Sequence, residues 1–206
     1  MPGLLGKKLG MSNIFTSKGN RVPVTVIEVG PCRVLQLRTL DKDGYSALQL
    51  GFGIKKKNVT KPVMGFYKKL NLDVSLTTKE FRFENVSDYK IGDEIKVDFF
   101  SEGELIKVRG NSKGKGFQGV MRRHGFGGVG GTTHGQSDRL RHPGSIGASS
   151  YPSRVFKGHR MAGRMGNTKI TISNLQVIKV IAEKNLILVK GAVPGPVNSI
   201  IELLKK

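Results

Sequence analysis

The chain has 206 residues and a formal net charge of +20, from 35 Lys and Arg against 15 Asp and Glu. That balance points to a polyanionic partner, nucleic acid first, while 37% hydrophobic residues exclude a chain disordered throughout. The one cysteine, Cys32, excludes an intrachain disulfide, and no apolar run approaches the ~18 residues of a membrane span.

The N-terminal MPGLLGKKLGM places lysines straight after two leucines and has no apolar h-region, so no signal peptide is expected. RVPVTVIEVG is a β-branched run ended by Gly30-Pro31, and CRVLQLRTL comes next as a second strand. Asp41-Lys42-Asp43-Gly44 predicts a turn of the hairpin kind before a strand in YSALQLGFG. The stretch 54–79 breaks the strand rhythm and reads as a small basic excursion. Within it KPVMGFYKKL, Lys61 to Leu70, is the clearest helix candidate, with Gly65 its unfavourable residue. Phe81 and Phe83 alternate in EFRFENV, and Ile95, Val97 and Phe99 alternate in EIKVDFF; both predict strands, as does LIKVRG.

From Gly110 to Gly166 the composition changes. These 57 residues hold 15 of the 28 glycines, all four histidines and ten Lys or Arg, against one acid, Asp138. Large apolar residues are few and scattered, so the segment cannot bury enough area to offset its ordering entropy. It reads as an insertion: a linker, or an arm ordered by a partner. Beyond it, KITISNLQVIKVIAEKNLILVKGAVPG predicts two or three strands with a turn at Glu183-Lys184-Asn185. Short, turn-separated strands indicate a mainly antiparallel β fold, a barrel or a sandwich.

Two glycine patterns in the insertion tempt and fail on context. Gly110-Asn111-Ser112-Lys113-Gly114 fits the nucleophile elbow, but that elbow needs a parallel sheet flanked by helices. Gly114 to Gly119 fits the dinucleotide fingerprint with Asp138 downstream. The residues after Gly119, however, give one basic turn and then five glycines in seven residues, not a helix and a second strand. The physics of the pattern still transfers, because glycines let a backbone approach phosphate. His124, His134, His142 and His159 match no metal-ligand spacing and have no cysteine beside them. No metal or other cofactor is expected. Basic residues among glycines, without acidic partners, repel one another, so an ordered arm requires counter-charge.

GNSKGKGFQGVMRRHGF, GGVGGTTHGQSDRLRHPGSIG and RVFKGHRMAGRMGN closely resemble the bacterial type of the large-subunit ribosomal protein three family. GLLGKKLGM resembles that family's opening strand, NLILVKGAVPG its C-terminal motif, and the resemblance covers essentially the whole chain. It implies a closed β-barrel of the translation-protein type over 1–110 and 167–206, with the excursion at 54–79. It further implies a long, glycine-rich RNA-penetrating extension over 111–166. A non-enzymatic structural constituent of the cytoplasmic ribosome is implied, bound early in assembly near the 3′ end of the large rRNA. The arm would reach toward the peptidyl transferase centre, with other large-subunit proteins as neighbours and neither membrane nor small-molecule substrate as partner. Some bacterial members carry a methylated glutamine at the tip; here the matching stretch is Gly147-Ala148-Ser149-Ser150-Tyr151-Pro152, so that modification is expected to be absent.

The expected rRNA contacts are Lys113, Lys115, Arg122, Arg123, Arg139, Arg141, Arg154, Lys157, Arg160 and Arg164 to phosphates. His124, His142 and Phe156 are expected to stack on unpaired bases, and His159 and Ser145 to complete the set.

Overall fold

The computed structural model describes residues 1–16, 19–130, 134–135 and 140–206. The chain divides into two compact units: a body, Met1–Ser112 with Lys169–Lys206, and an extension, Lys113–Thr168. In chain order the body opens with strands β1 (Gly3–Phe15), β2 (Arg21–Val29) and β3 (Cys32–Arg38) and a helical turn α1 (Leu40–Asp43). It continues with β4 (Ala47–Ile54), helix α2 (Lys61–Leu70), β5 (Ser75–Phe81), β6 (Glu94–Ile95) and β7 (Leu105–Asn111). The extension carries β8 (Phe117–Gln118), α3 (Val120–His124) and β9 (Gly163–Arg164). The body then resumes with β10 (Lys169–Ile181), β11 (Leu186–Lys190) and β12 (Ile200–Lys205).

Six strands close a barrel in the order β1-β12-β7-β10-β11-β2, antiparallel at every seam. The period-two pattern explains its filling. Ile106 and Val108 of β7, Ile187 and Val189 of β11, and Ile201 and Leu203 of β12 point inward and are fully buried. At Gly6 a Cβ would lie 2.9 Å from the Glu28 carbonyl oxygen, so β1 and β2 approach as only glycine allows. A bulge lies between Lys8 and Gly10. It turns Lys8 inward, where the buried ammonium donates to the carbonyls of Val193 at 3.0 Å and Gly195 at 2.9 Å.

A four-stranded sheet, β5-β4-β3-β6, shares one core with the barrel through Cys32, Val34, Leu48 and Leu50. The fold class is therefore mainly β with a closed barrel, as the sequence predicts. The helix at Lys61–Leu70 also forms. Thr60 is extended before it, Pro62 sits in its first turn, and Asn71 closes it in the left-handed region.

Four local expectations differ. Asp41 to Gly44 does lie in the hairpin connection between the antiparallel β3 and β4, but as the helical turn α1 and not a tight turn; there the Asp43 carboxylate holds Arg38 at 2.7 Å and Gly44 takes φ 76°. EIKVDFF forms a strand only at Glu94–Ile95, and Val97–Phe99 is a 3-10 turn. Its aromatics cluster instead of pairing, with Phe83 and Phe99 centroids 5.9 Å apart and Phe99 and Phe100 5.1 Å apart. Phe83 is buried although β5 ends at Phe81. β12, which closes the barrel, was not among the expected strands.

Candidate nucleic-acid interface

In the extension, β8 and β9 pair antiparallel, with Phe117 opposite Arg164 and Gln118 opposite Gly163. The ribbon continues through Lys115 N–H to the Met165 carbonyl at 2.9 Å and Met165 N–H to that of Gly116, also 2.9 Å. Gly166 has φ 74°, and a Cβ there would collide with the Lys113 carbonyl, so the ribbon's crossing demands glycine. α3 begins after Gly119, buries Val120, and ends on Gly125 in the left-handed region. Val120 is the buried hydrophobic residue among the extension's described residues.

Most expected contact residues are exposed: Lys113, Lys115, Arg122, Arg141, His142, Ser145, Arg154, Phe156, Lys157, His159, Arg160 and Arg164. Arg139, like Asp138, lies outside the described residues. Arg123 and His124 are half-buried and brought together: Arg123 Nη1 donates to the Met161 carbonyl at 2.7 Å, and His124 Nε2 lies 3.1 Å from the same oxygen. Both side chains thus tie α3 to the far branch of the extension. Arg154 and Phe156 are also brought together, the guanidinium 5.8 Å from the ring centroid. Ser145 Oγ donates to the Gly147 carbonyl at 2.9 Å and shapes the loop. Arg122 reaches Gln118 Oε1 at 3.3 Å. His159 N–H donates to the Phe156 carbonyl at 3.3 Å, and Arg164 lies in the β8–β9 ribbon, which continues through Lys115.

Two aromatics that the sequence reading left out are the barest on the extension: Phe117, 76% exposed, and Tyr151, 87% exposed. The signal for Phe117 was its place among Lys113, Lys115 and the glycines Gly114, Gly116 and Gly119.

Electrostatics separate the two units. In the body, acids engage cations: Arg33 bridges Asp73 and Glu94, Arg38 bridges Asp43 and Glu80, and Glu202 meets Lys79, Arg109 and Lys169. Hydrogen bonds to Glu94 and to Asp43 raise the already high pKa of Arg33 and Arg38 respectively. The described part of the extension holds no Asp or Glu, and no ion pair forms among its described residues. The cations among these residues therefore have no carboxylate counter-charge among them.

Ser112 comes directly after a strand of an antiparallel barrel, and Gly114 to Gly119 leads into a two-residue strand and a five-residue helix, so neither glycine pattern has its required context. Cys32 is buried and its thiol pushed up to about 12, the opposite of an activated nucleophile. Among the described residues no group of three or more His, Cys, Asp or Glu could hold a metal, and no helix is long and apolar enough to cross a membrane.

A closed barrel together with an extension whose described residues carry nine cations and no acid defines a strongly basic β-barrel protein. The sequence model of the family described as Ribosomal protein L3 matches residues 70–185. A relative from Chloroherpeton thalassium, named large ribosomal subunit protein uL3, is 54% identical over 206 residues and 99% of both chains. A relative of the same name from Herpetosiphon aurantiacus is 54% identical over 200 residues, 97% of this chain and 93% of its own. The chain belongs to the ribosomal protein L3 family, a family of structural ribosomal components and not of enzymes.

Proposed function

We propose that this chain is a structural constituent of the large ribosomal subunit that binds large-subunit rRNA near its 3′ end, early in assembly. In this reading the extension runs between rRNA helices toward the peptidyl transferase centre, and the body sits beside other large-subunit proteins in the cytoplasmic ribosome. The observation that carries it is the extension itself. Nine described cations, from Lys113 to Arg164, share it with no described acid. Such a surface draws its stability from phosphates, with Arg gripping them bidentately and Lys acting as a point charge. Glycines keep the backbone thin enough for close approach. RNA, not this protein, then carries peptide transfer, and the protein's influence on it runs through RNA position.

The test is co-sedimentation of the tagged full chain with large subunits, repeated at rising salt on an rRNA transcript covering the 3′ domain. The reading expects stoichiometric presence in large subunits and transcript affinity that falls steeply with salt. Protein that stays out of the subunit fraction would overturn it.

A further inference from the structure

Phe117 lies on a tied platform, not a loose loop. The ribbon holding it is fixed by the Lys115–Met165 and Met165–Gly116 backbone bonds. It is buttressed where a Cβ at Gly163 would meet the Arg123 guanidinium at 2.5 Å, the same group that holds the Met161 carbonyl. Yet the ring is 76% exposed, and it forms no aromatic or cationic stack among the described residues. The other aromatics of the extension differ. Phe156 already carries Arg154 over its face, Phe126 lies 6.1 Å from the His124 ring, and Tyr151 is on no strand or helix. In the body, Phe52, Phe81, Phe83 and Phe100 are buried, whereas Phe15, at the end of β1, is 71% exposed.

Directly opposite Phe117 is Arg164. Residues facing one another across an antiparallel pair project from the same face, with Cβ atoms about 5 Å apart. A bare ring and an exposed guanidinium with no ion pair among the described residues therefore stand side by side, with Lys115 two residues before the ring. A flat apolar face beside fixed positive charge matches one nucleotide: an unpaired base for the ring, a phosphate for the guanidinium. An apolar protein groove would satisfy the ring but leave Arg164 without its counter-charge.

We infer that Phe117 and Arg164 form a nucleotide clamp, the ring stacking on one unpaired rRNA base while the guanidinium grips an adjacent phosphate. The inference rests on the proposed rRNA-binding role and adds to it a place and a chemistry. Arg123 and His124 act here as positioning residues, holding α3 and the ribbon so that ring and guanidinium share a face.

The test uses the full chain and a transcript of the 3′ part of the large rRNA, with dissociation constants measured across a salt series and nucleotide reactivity probed chemically. Phe117→Leu keeps apolar bulk but loses the stacking face, and should weaken binding about tenfold without changing the salt slope, within the range for one base stack. It should also make one unpaired nucleotide newly reactive. Phe117→Trp should restore both. Arg164→Gln should reduce the salt slope by about 0.7 to 0.9, the share of one phosphate contact. A Phe117→Leu protein that binds and protects like the parent overturns the clamp, as does a loss that Trp fails to restore. Unchanged transcript binding with weakened association to another large-subunit protein would assign the ring to a protein contact and overturns it equally. If the parent chain itself binds without steep salt dependence, the rRNA reading falls, and the clamp with it.

Discussion

Consider replacing Ser112–Thr168 by Asn-Gly. β7 ends at Asn111, which is the register partner of Lys169 at the start of β10. Two antiparallel strands with facing ends are what a two-residue type I′ turn joins. The barrel should therefore close without the extension, and the magnitude comes from loop entropy. Shortening a 57-residue connection to two is nearly five halvings, each contributing about 0.6 kcal/mol, so the body gains at most about 3 kcal/mol. For a unit of this size that raises the unfolding midpoint by roughly 6 to 12 °C. RNA binding should move the other way. Of the nine described cations, Arg123 is turned to the Met161 carbonyl, leaving eight. At 0.7 to 0.9 per phosphate, their loss flattens the slope of log affinity against log salt by about six. Between about 50 and 200 mM salt, the parent should then lose three to four more orders of magnitude of affinity than the variant. Thermal unfolding by circular dichroism and anisotropy on a labelled transcript check both halves. A body destabilised by the deletion, or an unchanged salt slope, would refute the reasoning.

Three further outcomes are expected. Lys8→Met leaves the buried Val193 and Gly195 carbonyls without their ammonium donor; at ~1–3 kcal/mol for each orphaned acceptor, partly offset by relief of a buried charge, urea unfolding should show a loss of about 2 to 4 kcal/mol. Cys32, its thiol raised by burial to about 12, should resist thiol reagents in the folded protein and react once denatured; because the folded value is the higher one, its contribution to stability is full below the ordinary thiol range and is lost as pH climbs through that range to about 12. Ser145→Tyr or Gly147→Arg, in the loop where Ser145 Oγ bonds the Gly147 carbonyl, should alter rRNA probing and susceptibility to drugs bound at the peptidyl transferase centre while assembly proceeds; assembled subunits with neither change would place that loop elsewhere.

The parts of the fold legible in the sequence are those whose pattern is local. β7, β10 and β11 announce themselves by alternation, and α2 by Pro62 at its start and Asn71 at its end. β12 does not. Ile200, Ile201, Leu203 and Leu204 sit at a spacing that suits one face of a helix as well as a strand. Only its pairing with β1 and β7, strands about two hundred and about a hundred residues away in sequence respectively, decides the matter. EIKVDFF fails in the opposite sense. Its alternation is real, but the residues feed an aromatic cluster under the sheet rather than a ladder of hydrogen bonds.

The candidate interface divides along the same line. Composition shows where charge lies and that the segment has no core of its own, since both depend only on residue counts. It cannot show that Arg123 and His124 reach back to Met161, 38 and 37 residues on, or that Phe117 faces Arg164. Those pairings change what the same charges do. A cation that braces the backbone sets shape, and a cation left bare beside an exposed ring can bind. Because the described residues of the extension include no acid, hydrogen bonding within it sorts their cations into these two roles. On the proposed rRNA-binding role the bare ones complete their electrostatics on phosphates, and the extension's energetics, unlike the body's, then belong to the complex rather than to the chain.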